Sequence, residues 1–296
     1  MDHTHGIRLG LVGCGLIGGS FALALRKAGA VRTVRGFSRS EATLQTAIRL
    51  GVIDTAATSA ADAAVDCDVV MVAVPVAATE ATLRAIAPQL RPHTLVIDAG
   101  STKGDVVDAA RAALGERLSQ FVPCHPIAGK EVAGVEHADA TLYQGRHCIL
   151  TPTEANDGAS IDRASALWQS VGAIVRSMSA ADHDTTFAAV SHLPHLLAYA
   201  YVLGVAQQPT GTAMLNLAGP GFRDFSRIAA SEPAVWRDIL MANRTQVLQQ
   251  AQAFRQQLDA LEQAMQRADA AAIEMTIGRA SDLRRRWRMG SGIDED

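Results

Sequence analysis

Seven short, nearly unbroken apolar runs mark the first part of the chain: IRLGLVG from Ile7, TVRGFS from Thr33, DVVMVAV from Asp68, TLVIDAG from Thr94, QFVPCHP from Gln120, HCILTP from His147 and AIVRSM from Ala173. Runs of this length suit strands covered on both faces, so the pattern predicts a mostly parallel sheet built from βαβ units. After Ser179 the strand signal stops, and the chain turns rich in Ala, Leu, Gln and Arg. Val247, Ala251, Phe254, Leu258, Leu261 and Met265 then recur at intervals of four, three, four, three and four. That spacing predicts an unusually long amphipathic helix, opened by Ser231 and Pro233. So regular a seam is expected to pack against a second copy of the chain, the alternative being burial within its own domain. The chain is thus read as an α/β domain over residues 1–178 followed by an all-helical domain over 179–296, with no repeat or low-complexity linker between them.

The first predicted strand runs into Gly13-Cys14-Gly15-Leu16-Ile17-Gly18, which opens a predicted helix. In this setting GxGxxG carries a physical meaning. The first glycine makes the turn, the second lets backbone approach a pyrophosphate, and the third lets helix and strand pack closely. Backbone N–H groups at the helix N-terminus then hold the phosphates. The first domain is therefore read as a Rossmann-type dinucleotide-binding domain, with Gly13, Gly15, Leu16, Ile17 and Gly18 against the cofactor. At the end of the second strand, where an NAD site usually has Asp or Glu, the segment is Gly36-Phe37-Ser38-Arg39-Ser40. Ser38, Arg39 and Ser40 offer hydroxyls and a guanidinium to a 2'-phosphate, which favours NADP over NAD. A solvated loop arginine is the alternative.

Composition narrows the remaining classes. With 48% apolar residues in a chain of 296, there is enough to bury one large or two moderate domains. The net charge is −3 and the basic block is confined to Arg284, Arg285, Arg286 and Arg288, which gives no electrostatic support to a nucleic-acid or membrane-surface role. No apolar run approaches the roughly 20 residues of a membrane helix, and the N-terminus carries no signal-peptide pattern. A cytoplasmic protein is expected. Cys14, Cys67, Cys124 and Cys148 lack metal-site spacing and read as buried free thiols.

Two polar loops follow predicted strands: Asp98-Ala99-Gly100-Ser101-Thr102-Lys103-Gly104 and Pro123-Cys124-His125-Pro126-Ile127-Ala128-Gly129. Both belong at C-terminal strand ends, where open α/β sheets bind ligands. The second domain adds Ser191-His192-Leu193-Pro194-His195 and the segment from Gly219 to Arg227. A histidine exchanges protons near neutral pH and an arginine pairs with a carboxylate, so the set suits oxidation of a hydroxyl on an anionic substrate.

The pieces GLVGCGLIGGS, DAGSTKG, HPIAGKEVAGVEHA, YQGRHCILTP, SHLPH and GFRDFSRIAASEPAVWRDI resemble, in the same order, the prephenate and arogenate (cyclohexadienyl) dehydrogenase family. The resemblance runs from Leu9 to Ile239. It implies removal of a hydride from the ring carbon bearing the 4-hydroxyl while the ring carboxylate leaves as carbon dioxide, in tyrosine biosynthesis. By the same resemblance His125 corresponds to the catalytic histidine that bonds the 4-hydroxyl, and Ser101 to the serine that bonds the same hydroxyl and borders the nicotinamide. His195 corresponds to the second histidine of the site, and Arg227 to the arginine that binds the ring carboxylate. Lys130 and Glu131 are placed at the substrate, although Lys130 stands where many relatives have Thr, which leaves the choice between prephenate and arogenate open. His192 is expected to support His195, while His137, His147 and His183 are expected at the surface or in packing, and Lys103 either to cap or approach the nicotinamide loop or to be an exposed lysine.

Two other readings stand beside this one. A β-hydroxyacid dehydrogenase would place a catalytic lysine in the helical domain, yet Lys27, Lys103 and Lys130 all precede Ser179. A non-catalytic nucleotide sensor would have no need of His125, Ser101, His195 and Arg227 together.

Overall fold

The computed structural model describes residues 6–130, 132–288 and 292–293. Strands β1 (Ile7–Val12), β2 (Val31–Phe37), β3 (Thr55–Ala56), β4 (Val69–Val72), β5 (Leu95–Asp98) and β6 (Phe121–Val122) form a parallel sheet in the order β3-β2-β1-β4-β5-β6. Helices α1 (Leu16–Lys27), α2 (Glu41–Arg49), α3 (Ala60–Ala64), α4 (Thr79–Ile86) and α5 (Gly104–Leu114) make the crossovers. The strand order reverses between β1 and β4, and that reversal opens a crevice beyond the C-terminal strand ends.

The apolar runs form strands because both faces of the sheet are covered. One core layer gathers Leu9, Leu11, Phe21, Leu25, Met71 and Ile97, and the other gathers Val12, Val70, Val72, Leu83, Ile86 and Phe121. All seven predicted runs contain strand, with one difference. QFVPCHP is two strands in two sheets, because Pro123 has no N–H to continue a ladder. After it, β7 (Cys124–Pro126) pairs antiparallel with β8 (His147–Leu150), which pairs parallel with β9 (Ile174–Ser177) across α6 (Gly158–Ser170).

Helices α7 (Ala180–Phe187) and α8 (Leu193–Ala206) are joined by a π turn at Ala188–His192. Together they form one rod, Ala180–Ala206, of 27 residues, which by length and composition alone is long and apolar enough to cross a membrane. This corrects the expectation that no segment approaches that length. His192 and His195 interrupt the apolar run, whereas the hydropathy averaged over the most apolar 18 residues of the rod stays high. Those polar residues are taken up by the site described below. Beyond the rod lie α9 (Gly211–Asn216), α10 (Pro220–Ser226) and α11 (Pro233–Ala242).

The described chain separates into two compact units, one running to Asn243 and the other starting at Arg244. The change of pattern near residue 178 falls inside the first. The second unit holds α12 (Arg244–Gln266) and α13 (Ala270–Arg286), closed by a two-residue antiparallel ladder of Trp287–Arg288 with Gly292–Ile293. The long predicted helix is therefore α12 alone, while Ser231 and Pro233 open the separate α11. Val247 and Ala251 are buried in the seam, but Phe254, Leu258 and Met265 are exposed.

Candidate active site

The glycine turn sits where β1 hands over to α1, and each glycine has a separate physical reason. Gly13 adopts φ +101°, and a Cβ there would lie 2.1 Å from the Ala73 carbonyl oxygen. A Cβ on Gly18 would come within 2.2 Å of the Gly13 carbonyl oxygen. Gly15 differs, since a Cβ there would meet nothing within 4 Å. It caps α1 without a side chain, and the first turn carries no acidic residue, so the N–H groups of that turn lie open to an anion. Gly15, Leu16 and Ile17 line a cleft of about 550 Å³, together with Ala73 to Val76, Ala99 to Ser101, Gly129, Lys130 and residues of α11 that include Trp236. A backbone anion cradle opening into an elongated cleft at the switch point fits a dinucleotide.

At the tip of β2, Ser38 is half-buried while Arg39 and Ser40 are exposed. Ser40 Oγ accepts the Thr43 N–H and caps α2, which occupies one of the hydroxyls expected at the cofactor. Arg39 makes no ion pair with any described residue.

Ser101 lies on the loop after β5, held by a buried ion pair. Lys103 Nζ is 2.5 Å from Asp98 Oδ2 and donates to the Cys124 carbonyl at 2.8 Å. The other oxygen of Asp98 accepts the Cys124 N–H at 2.7 Å, and Oδ2 also accepts the Gly100 N–H at 2.8 Å. Lys103 is fully buried, which rules out the exposed alternative left by the sequence. The pair grips the residue before His125 by both its N–H and its carbonyl, and so fixes where β7 presents that ring.

His125 Nδ1 lies 2.8 Å from Nε2 of His183, whose Nδ1 lies 2.8 Å from Asp184 Oδ1. Asp184 in turn accepts the Lys103 and Gly104 N–H groups, each at 2.8 Å. Both imidazoles pack on Phe187, with ring centroids 4.9 and 4.5 Å away. His183 is thus not a surface histidine but a buried partner of His125. Burial, reinforced by His183 and the Lys103 ammonium, holds His125 well below the usual histidine value of 6.5. Burial also lowers His183, against the pull of Asp184.

His195 stacks on Trp236 at 3.4 Å between centroids, and its Nδ1 lies 2.9 Å from the Ser191 carbonyl oxygen. His192 is buried and accepts from Asn243 Nδ2 at 3.1 Å, while the same amide donates to the Asp184 carbonyl at 2.7 Å. Burial pushes His192 down to about 4. Its edge meets Trp236, so the two histidines are linked through the indole.

The other expected residues are less gathered. Lys130 lines the cleft, but its ammonium lies 3.1 Å from Asp139, a carboxylate held down to about 2 by Thr141 and Lys130. Glu131 lies outside the described residues. Arg227 is exposed, on a short 3₁₀ turn, Arg227–Ala230, whose last residue lines the cleft. Sequence reasoning missed His183, Asp184 and Trp236 as parts of the site, and left Lys103 between the nicotinamide loop and the surface. The only available signal was that DHD and TKG place charged and titratable side chains at helix starts.

A parallel sheet of this order, with a glycine turn at its switch point and a histidine, His195, stacked on the cleft residue Trp236, defines a Rossmann-type dinucleotide-binding oxidoreductase with a helical C-terminal part. Residues 21–177 match the model of the prephenate dehydrogenase nucleotide-binding domain, and residues 179–278 that of the prephenate dehydrogenase dimerization domain. The chain belongs to the prephenate dehydrogenase family. A prephenate dehydrogenase of Bacillus subtilis is 34% identical over 276 residues, which span 93% of this chain and 74% of that protein. A cyclohexadienyl dehydrogenase of Zymomonas mobilis is 33% identical over 242 residues, 81% of this chain and 82% of its own. The crystal structure of prephenate dehydrogenase from A. aeolicus in complex with hydroxyphenyl propionate and NAD+ matches with a TM-score of 0.89 at 34% identity, over 96% of this chain and 99% of that one.

Proposed function

We propose that this chain catalyses the oxidative decarboxylation of prephenate, arogenate or both, with His125 as proton acceptor and NADP favoured over NAD. The observation that carries the reading is the His125 ring, presented on β7, hydrogen-bonded to His183 and kept neutral by burial, in a chain whose cleft is lined by the α1 N-terminus and Ser101. A neutral imidazole can take the proton of the 4-hydroxyl as that carbon becomes a carbonyl. The nicotinamide, when bound, accepts the hydride. Loss of the ring carboxylate as carbon dioxide leaves its electron pair to the aromatic ring, and His125 returns the proton to the phenolate oxygen, so no net proton is consumed.

Ser101, on the cleft wall, bonds the same hydroxyl and orients it toward His125. His195, fixed by its stack on Trp236, shapes the substrate end, and Arg227 pairs with the ring carboxylate. Lys130 and Glu131 contact the substrate side chain, with Asp139 setting the reach of Lys130. Arg39 supplies the cation for a 2'-phosphate, supported by its exposure and its lack of an ion partner among the described residues. The match to a dimerization domain and the exposed seam of α12 support a homodimer, and the biosynthetic role supports a place in the cytoplasm.

Initial rates with prephenate and with arogenate, each with NAD and NADP, test this directly. The expected result is turnover of at least one substrate, faster per molar cofactor with NADP, and a His125→Asn variant slowed on the order of 10² to 10⁴-fold with nucleotide binding kept. No turnover in any of the four combinations would overturn the activity.

A further inference from the structure

The geometry points to a role for two residues outside the assigned set: we propose that Asp184 and His183 are positioning residues that fix the ring tautomer of His125, leaving its Nε2 as the proton-accepting atom. The inference rests on the reading of His125 as the acceptor, and it says which nitrogen does the accepting and why.

The chain of hydrogen bonds has one consistent assignment at neutral pH. Asp184 accepts two backbone N–H groups and faces His183 Nδ1 at 2.8 Å. An ionised carboxylate only accepts, so His183 Nδ1 carries its hydrogen. A neutral imidazole has one donor and one acceptor, so His183 Nε2 presents a lone pair. That lone pair faces His125 Nδ1 at 2.8 Å, and two ring nitrogens this close need one proton between them. Nδ1 of His125 therefore donates, and its Nε2 is left with a free lone pair. Had His183 been turned the other way, its N–H would point at His125 and put the hydrogen of that ring on Nε2, where no proton could be received.

The arrangement also serves the charged state. When Nε2 takes the hydroxyl proton, the O–H bond breaks, the N–H bond forms, and His125 becomes an imidazolium. Its Nδ1–H stays bonded to His183, which in turn remains bonded to the Asp184 anion. Phe187 packs against both rings, so the orientation does not depend on solvent. The Lys103 ammonium is already committed to Asp98 and Cys124 and cannot compete for His183.

Nitrogen NMR of the full chain labelled in its nine histidines, with His125 assigned by loss of its signals in His125→Asn, reads the tautomer without turnover. The expected result is an Nδ1–H ring at His125 above pH 7. Kinetics of two variants supply the second readout. His183→Leu keeps an apolar filling but removes the acceptor, and should lower kcat on the order of 10²-fold while nucleotide Kd stays unchanged. His183→Gln offers an amide oxygen near the position of Nε2, and should recover at least about tenfold of that loss. A purely packing role predicts the reverse order, with Leu the better substitute in a buried site. An Nε2–H ring at His125 in the unsubstituted protein, or a leucine variant at least as fast as the glutamine variant, would overturn the proposal. An Nδ1–H ring in a protein that turns over neither substrate would support the tautomer assignment while refuting the activity it serves.

Discussion

The Lys103–Asp98 pair is the most consequential interaction outside the reacting groups, and its removal has a calculable cost. Lys103→Met keeps the length of the stem and deletes the ammonium. Asp98, 2% exposed, is then left as a buried anion that keeps only the Gly100 and Cys124 N–H groups. Breaking a buried pair from one side typically costs about 3–5 kcal/mol, because the stranded charge is not resolvated. The two remaining charge-assisted bonds place the expected loss near the lower end, at about 3 kcal/mol. Removing both charges in Lys103→Met with Asp98→Asn should be milder than the single change, since a neutral amide is cheaper to bury than an anion, and should return at least about 1 kcal/mol. Urea denaturation at one fixed protein concentration measures all three proteins on the same scale, which matters for a chain expected to dimerise. A loss under about 1 kcal/mol for Lys103→Met, or a double variant no more stable than the single, would refute the argument that the pair is held together by the penalty of separating it.

Gly15→Ala should leave thermal stability unchanged, since its Cβ meets nothing, yet weaken nucleotide binding at least about tenfold by filling the phosphate cradle. Gly18→Ala should instead unfold more readily, because its Cβ would lie 2.2 Å from backbone oxygen, and equal melting temperatures for the two variants would refute the distinction. Arg39→Ala should weaken NADP by about 1.5–3 kcal/mol and leave NAD nearly unaffected, as titration of each nucleotide would show, whereas unchanged NADP affinity removes Arg39 from the site. His125, His183, His192 and His195 are all held below 6.5 by burial, so the unfolded chain takes up protons that the folded one does not. Their stabilising contribution is present above pH 6.5 and is lost as pH falls toward their folded values, so urea midpoints should drop between about pH 7.5 and 5.5, and a flat profile would contradict the assignment. Leu258→Glu, on the exposed part of the seam, should shift a dimer toward monomer in sedimentation, while a dimer that sediments unchanged would place the interface elsewhere.

The strands were legible because burial on both faces writes a local signature, a run of Val, Ile, Leu and Met that needs no knowledge of the partner strand. β3 escaped the same reading since Thr55–Ala56 is two residues long and only partly covered. The glycine turn was legible for a related reason, as each of its constraints involves backbone within the first βα unit or the neighbouring β4 end. His125, Ser101, His195 and Arg227 were assigned through the resemblance, and the geometry adds contacts for His125 and His195 that spacing alone could not. The break between α11 and α12 was not legible. Asn243 is compatible with a continuing helix by propensity, and it marks the break while its side-chain amide is engaged by the Asp184 carbonyl and His192.

What the sequence could not reveal shares one property, that each polar group finds its partner far along the chain. Lys103 reaches Cys124 across 21 positions, His183 meets His125 across 58, and Asp184 receives the Lys103 N–H across 81. A lysine after a strand or a histidine in a polar helix start has no local mark of burial, and average behaviour places both at the surface. The same contacts explain why the change of pattern near residue 178 does not separate compact units. Asp184, at the start of the helical rod, terminates the N–H groups that open α5, and Asn243 ties the far end of α11 back to that rod. The pattern change records where strands give way to helices, whereas compactness is set by the hydrogen bonds that cross it. Because Asp184 also faces His183, which bonds His125, the residues that join sheet and rod are the same ones that hold the His125 ring in place.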